Sequence, residues 1–483
     1  LNEHKPLEQV DWINGLKATR MAIEGAVQKF GADQVGIFIS PSATVEEQLL
    51  TRQLADNLKI QKIDSRFRQI DFSSDDVEPK FRSLGLAIND VKSLDSIFLV
   101  GADPRMEVPV LAIDIREAVK NGAKVALLNT YNTDQLHPTD AIITAPNEWV
   151  SVLANVLKQT AAKTGKAIAS ELSEIVDNSV NNDQVNAIVD ALSKDGKHWI
   201  VLGKDAISNP DFAVIRALCQ NIAEVSNGAF GYIAEGANMT GALLTGVAHG
   251  NTHSMLASSL KAYILVGAID VEHDFIERKL ALNALKHAEL VVAITPFISE
   301  TLRDVATIIL PAAAWGETDG SLMNLEGQLQ TVKAAALPRF ESKRIWKVLR
   351  VLGNEFEFAG FDYIESSDVL NAAQAKLSTD AQTNFMPYSA NLAWDQKASS
   401  GLVAVPMESI YSTDAYVRRT PSLQATPLAA RKRVVGHQSV NKEEWVLEGQ
   451  GFKVRSTSKM AENCLRIPRE FGLMIDYYEA IEG

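Results

Sequence analysis

SIFLVGA (96–102) and KVALLN (124–129) are two short apolar runs with a helical stretch between them. That alternation is the signature of parallel strands buried on both faces by crossover helices, and it decides the fold class. The chain reads as α/β. Outward from this pair, VGIFIS (35–40) precedes and DAIITA (140–145) follows. Between the first two runs of this set Val45, Leu49, Leu54 and Leu58 recur at helical spacing, ahead of the polar loop KIDSRFRQIDFSSDD (62–76). A second set comprises HWIVLG (198–203), KAYILVGA (261–268), ELVVAI (289–294) and ATIILPA (306–312). Two doubly wound parallel-sheet units are expected, with Asp103 and Asp270 closing similar strands and hinting at duplicated architecture.

Further boundaries follow from composition. Trp149, Val152, Leu153, Val156 and Leu157 line one helix face, and the Lys-, Thr-, Ser- and Asn-rich stretch that runs on to about Asp195 reads as a domain junction. The expected division is 1–160 for the first α/β unit, 161–312 for the second, 313–377 for a hairpin and returning helices, 378–435 for an extended wrapping segment and 436–483 for a small β-rich remnant. Helix is expected to resume at Lys343–Leu352. The wrapping segment is assigned because it shifts to Ser, Thr, Pro and Asn with scattered apolar residues, and long loops need partners.

A chain of 483 residues is too long for one core, and its 46% hydrophobic and 22% charged residues are those of an ordinary globular protein. A net charge of −13 argues against nucleic acid or anionic lipid as a broad electrostatic partner. No run approaches the roughly 20 apolar residues of a membrane span, although docking on something membranous stays open. Cys219 and Cys464 are too few for a disulfide framework or for an iron–sulfur cluster, which takes about four thiolates, and they fit a reducing compartment. Leu1 is read as a possible truncation point rather than a natural start.

Phosphate-loop, serine-elbow and zinc-helix spacings do not occur, and no strand is followed by a dinucleotide fingerprint. The glycines of NGAFGYIAEGANMTGALLTGVAHG (227–250) are expected to serve turns and close helix packing. His249 and His253 could share a helix face as half a metal site, but lack a third ligand nearby, so hydrogen-bonded histidines are expected. His137 should sit in a turn, and Arg418-Arg419 and Arg431-Lys432-Arg433 on solvated or ion-paired faces. No catalytic residue and no metal ligand is assigned.

PAAAWGETDGSLMNLEGQLQ (311–330) is the most informative segment. Pro311 ends a strand, Asp319-Gly320 permits positive dihedrals, SLMNL can pair with QLQTV, and Glu326-Gly327 supplies the reversal. Glu317 and Asn324 have the chemistry to satisfy loop backbone groups, so by itself the segment is a structural hairpin.

The same segment resembles the E-x-x-G-[ST]-x-x-N-x-E-G-R-x-Q motif of the molybdopterin oxidoreductase superfamily, matched by Glu317, Gly320, Ser321, Asn324, Glu326, Gly327 and Gln330. Gln328 stands where the motif usually has arginine. Residues 62–76, 98–129, 234–247, 346–354 and 411–424 are similar to one branch, the G-type (75 kDa-type) large subunit of bacterial NADH:quinone oxidoreductase (respiratory complex I). The resemblance implies two doubly wound units and a shortened C-terminal barrel, without the family's N-terminal region that holds the iron–sulfur clusters. Where active members carry a D-P-R-like turn this chain has Asn129-Thr130-Tyr131-Asn132, and where they carry a phosphate-facing R-P-G-T-like turn it has Ala145-Pro146-Asn147-Glu148. No Cys or Ser stands out as a molybdenum ligand, so the motif is expected to be vestigial and the segment to bind no cofactor. The resemblance further implies a scaffold role in the peripheral arm of a translocase. Its partners would be the cluster-bearing region and other peripheral-arm subunits, including the one that carries FMN, on the cytoplasmic side of the inner membrane. An active molybdopterin enzyme, such as a formate dehydrogenase, and a stand-alone NAD-binding dehydrogenase are the alternatives, the second favoured by the α/β pattern alone.

Overall fold

The computed structural model describes residues 7–180, 182–373, 377, 383–390, 392, 394, 401–427, 429, 434–438, 444–447, 450–471 and 473–481. It divides into two compact units, the first formed by 1–68, 235–381 and 414–416, the second by 69–234, 382–413 and 417–483. This corrects the expected division at 160/161, because each unit draws strands from both sequence sets.

In the first unit, β1 (Val35–Ile39) and β2 (Ile63–Asp64) join β8 (Ala262–Val266), β9 (Leu290–Thr295) and β10 (Ile308–Pro311) in a wholly parallel sheet of order β10-β9-β8-β1-β2. Every residue of β1, β8 and β9 is buried, which is what near-continuous apolar runs demand of strands covered on both faces. Helix Val45–Asn57 starts on a capping box, with Thr44 and Glu47 each satisfying the other's backbone amide. Helix Ile345–Glu355 is the expected returning helix. The hairpin β11 (Gly320–Met323) and β12 (Leu329–Val332) pairs Ser321 with Thr331 and Met323 with Leu329.

The second unit holds β3 (Ser96–Val100), β4 (Lys124–Asn129), β5 (Asp140–Ile143), β6 (His198–Leu202) and β7 (Ala229–Tyr232), again all parallel, in the order β5-β4-β3-β6-β7. The stretch read as a domain junction belongs to this core. Leu172, Ile175, Val176, Val185, Ile188, Val189 and Leu192 lie on short helices buried with helices Trp149–Thr164 and Phe212–Ser226. Its polar composition is that of the solvent side of the layer, and the apolar residues at helical spacing decide its place.

A mixed six-stranded sheet completes the second unit: β13 (Leu402–Met407), β14 (Val434–His437), β15 (Glu444–Leu447), β16 (Gln450–Thr457), β17 (Cys464–Pro468) and β18 (Ala480–Ile481), in the order β15-β16-β14-β17-β13-β18. The β-rich part therefore begins inside the segment expected to wrap, because LVAVPM at 402–407 is itself a buried strand. Of that segment, 383–390 does lie across the second unit's own surface, where Asn384 donates to the carbonyls of Ser83 and Phe230 and Tyr388 to Glu224. The run 431–433 and much of 378–400 lie outside the described residues.

Candidate functional site

Open α/β sheets bind ligands beyond the carboxyl ends of their strands, where the chain order reverses. In the second unit that point lies between β3 and β6. A glycine, Gly101 or Gly203, follows each strand directly, and the loops interlock. The Gly203 amide donates to the Val100 carbonyl at 2.9 Å and the Asp205 amide to the Gly101 carbonyl at 2.9 Å. Gly101 has φ +59°, and a Cβ there would lie 2.3 Å from the Ala206 nitrogen; a Cβ on Gly203 would lie 2.3 Å from the Ala102 Cα. Glu107 staples the two strand ends by accepting from the Asp103 amide and, at 2.9 Å, from the Lys204 amide. Enclosure there pushes its carboxyl up to about 7, although Lys204 opposes the rise.

The mixed sheet adds the remaining charges. Arg469 pairs with Glu408 at 2.7 Å, Lys204 lies 3.9 Å from Glu408, and Arg466 lies 3.7 Å from Asp205. The Ser208 and Tyr478 hydroxyls are 2.6 Å apart. Asp103, Glu107, Asp205 and Glu408 thus meet Lys204, Arg466 and Arg469. With the Glu107 carboxyl pushed up to about 7 and that of Asp205 also raised by burial, the four carboxyls and three cations nearly balance, and Lys204 Nζ and Arg466 Nε are buried without a hydrogen-bond partner among the described residues. Sequence reasoning named only Asp103 of this cluster. The acid four residues after a strand-ending Asp, as in Asp103/Glu107 and Asp270/Asp274, was the available signal. In the first unit the Asp274 carboxylate likewise accepts from the Asp270 amide at 2.7 Å.

The two turns that depart from the family pattern belong to the same end of this sheet. Asn129 Oδ1 accepts from the Thr130 amide, and the turn is zipped to the mixed sheet by Asn132 N to Lys459 O and Ala461 N to Thr130 O, each 2.8 Å. The Arg466 guanidinium lies 5.2 Å from the centre of the Tyr131 ring. Ala145 is buried against Val403, Val405, Met460, Ala461 and Cys464, and the Glu148 amide is spent on Ala145 O. The Thr130, Asn132 and Glu148 amides are engaged and Glu148 adds a carboxylate. The buried Asn129 Nδ2 has no partner among the described residues, but it is a neutral donor where a phosphate group calls for cations, so these turns do not fit one.

In the first unit the sheet order reverses between β1 and β8. Gly267, at φ +100°, lets the end of β8 lie against Ser40, where a Cβ would be 2.8 Å from the serine Cβ. The glycine-rich segment covers the loop after β1, with the Asn238 amide donating to Pro41 O and its side-chain amide to Ala43 O. Gly236 and Gly246 take positive φ, while Gly231 and Gly250 meet neighbouring backbone, so the glycines serve turns and close packing. The motif hairpin sits over this loop. Asn238 Oδ1 accepts from the Met323 amide at 2.8 Å, and Glu46 accepts from both the amide (2.8 Å) and the hydroxyl (2.9 Å) of Ser321. Glu47, wholly buried beside it, has its carboxyl pushed up to about 7 by desolvation, against the pull of the Thr44 amide.

Glu317, Gly320, Ser321, Asn324 and Gly327 each have a structural task. Glu317 accepts from the Ala314 amide and, through its carbonyl, from Arg344. Asn324 Oδ1 accepts from the Glu326 and Gln328 amides, and Gly327 turns the chain at φ +81°. Gln328 and Gln330 are exposed. Gly320 does not supply a positive dihedral, as its sequence suggested. It opens β11, where a Cβ would lie 2.6 Å from the Thr44 side chain.

His249 precedes helix Thr252–Ala257 and contacts Leu243 O, while His253 pairs with Glu277, so the two do not share a helix face. His137 lies in a turn with Pro138 and Thr139. Cys219 and Cys464 are buried, with their thiols pushed up, the second to about 12, by desolvation. Among the described residues no group of three or more His, Cys, Asp and Glu could hold a metal, and no helix is long and apolar enough to cross a membrane.

The family model for molybdopterin oxidoreductases matches residues 3–355. The chain belongs to the molybdopterin oxidoreductase family. Within the family it is 25% identical over 328 residues to the G-type NADH-quinone oxidoreductase subunit of Shewanella oneidensis, covering 60% of this chain and 35% of that protein. It is 25% identical over 349 residues to the mitochondrial NADH dehydrogenase iron–sulfur protein 1 of Solanum tuberosum, covering 69% and 41%. A shorter match, 31% over 90 residues, is to the alpha subunit of an F420-dependent formate dehydrogenase of Methanocaldococcus jannaschii, covering 18% and 13%. The matched part is thus less than half the length of each of these relatives. Acetylene hydratase from Pelobacter acetylenicus shares the fold, with a TM-score of 0.61 at 13% identity over 95% of this chain and 82% of that one. Parallel-sheet α/β units with a β-rich C-terminal part are therefore the family fold, as the sequence implied.

Proposed function

We propose that this molybdopterin oxidoreductase family chain is a cofactor-less, structural part of the large subunit of a complex I-type NADH:quinone oxidoreductase, in which electrons pass through partner subunits and clusters held elsewhere. The observation that carries the reading is the fate of the 129–132 and 145–148 turns. Both are hydrogen-bonded or packed into the mixed sheet, and neither presents a cation where the family pattern has arginine. The long matches to the Shewanella and Solanum proteins support the same reading. The role is bracing: the interlocked strand ends support neighbouring subunits in the peripheral arm, on the cytoplasmic side of the inner membrane, while the complex as a whole carries out NADH oxidation, quinone reduction and proton translocation.

A molybdopterin-dependent enzyme is the second reading, favoured by the local 31% identity to a formate dehydrogenase. Elemental analysis of the purified chain for molybdenum, tungsten and iron, with extraction for a fluorescent pterin from the same sample, separates the two. The scaffold reading expects none of the four. Stoichiometric molybdenum or tungsten together with pterin sinks it in favour of the enzyme.

A further inference from the structure

The first unit carries one feature that neither its core nor its motif uses. Phe340 is 99% exposed and has φ +52°, a left-handed conformation that bulky side chains rarely adopt. Leu337, three residues earlier, is 81% exposed. The loop bearing them is pinned at both ends: the Ala335 amide donates to Gly316 O at 2.8 Å, and Trp12 Nε1 donates to Glu341 O at 2.7 Å. Those anchors adjoin two more exposed apolar side chains, Trp315 and Ile13. A large apolar side chain held outward on strained backbone, with Leu337 exposed three residues before it and Trp315 and Ile13 exposed next in sequence to the loop's anchors, points to an interface.

The charge around it says what kind. Residues 333–347 hold five cationic side chains, of which Arg344 pairs with Asp319, against one carboxylate, Glu341, in a chain of net charge −13. We infer that Phe340 and Leu337 form a knob that enters an apolar socket on a different protein, with acidic side chains on the socket's rim meeting Arg339 and Lys343. A symmetric contact through the knobs of two copies of this chain fits less well, because it sets cation against cation. An anionic membrane also fits less well, because the net negative charge repels it and a fluid surface does not need a backbone-fixed direction. This inference does not depend on the complex I reading.

The test places a photo-crosslinking phenylalanine analogue at position 340 of the full chain, in the cells that make it, and maps the crosslinked peptide by mass spectrometry. The expected result is one adduct, to a peptide of another protein in which acidic residues flank apolar ones, at least tenfold weaker when Arg339→Glu and Lys343→Glu are added. Unchanged melting of that variant shows that the loss is not unfolding. An adduct to a second copy, no adduct, adducts insensitive to charge reversal, or flotation of the purified chain with phosphatidylglycerol vesicles in place of a protein adduct overturns the inference.

Discussion

Glu107 shows how one side chain closes a place where α/β folds usually open. Its two oxygens satisfy amides that start two different loops, so removing it strands two donors between interlocked backbones. Glu107→Ala should destabilise the second unit by about 2–6 kcal/mol, twice the usual penalty for one stranded donor, read as a lower melting temperature. Glu47 gives a pH signature instead. Its folded carboxyl titrates near 7 while the unfolded group titrates near its ordinary value of 4.5. Below 4.5 both states are protonated and burial carries no ionic penalty. As the pH rises from 4.5 to 7, the unfolded chain releases its proton first, so the stability falls, and above 7 the penalty is constant. Glu47→Gln keeps the acceptor for the Thr44 amide and should remove this slope, on the order of 1–3 kcal/mol between pH 5 and 8. Melting curves of both proteins at the two pH values check it, and parallel shifts would refute it. At Phe340 the backbone strain brings the chain no contact, so Phe340→Gly should leave stability unchanged or raise it by about 1 kcal/mol.

The motif hairpin shows where local reading stops. Asn324, Gly327 and Glu317 were legible because turn chemistry acts over four residues or fewer. Glu46 and Asn238 were not, since they reach the hairpin from 275 and 85 residues away and nothing at those distances is periodic. Gly320 was misread for the same reason: Asp-Gly looks like a turn, whereas the glycine is required by a threonine side chain on another element. The hairpin is therefore an inserted plug rather than a free ribbon, and an isolated two-stranded hairpin is marginal in water. Glu46→Ala removes the acceptor of both the amide and the hydroxyl of Ser321, so amide exchange should accelerate at least tenfold across Gly320–Met323. Core amides of β8 and β9 should hardly change. Equal acceleration in both places would mean global unfolding and would argue against the plug.

At the scale of the molecule, strand existence was encoded and strand partnership was not. A buried parallel strand reads as a short apolar run whichever sheet it joins, so VGIFIS and HWIVLG carry no mark that sends the first to β8 and the second to β3. The chain starts one sheet, builds the whole of the other from residues 96 to 232, and then returns to finish the first. That order has a folding consequence. A fragment of residues 69–234 holds every strand of one parallel sheet together with its covering helices, whereas 1–160 holds two strands of one sheet and three of the other. The first fragment should melt cooperatively, though below the intact chain, because it leaves Ala145 and the 129–132 turn without the mixed sheet that covers them. The second should show no cooperative melt, since both of its partial sheets have open edges and missing core. Circular dichroism melts of the two fragments decide the point. A sharp transition in 1–160 would mean that its five strands can form a single sheet, which the interleaved pairing rules out.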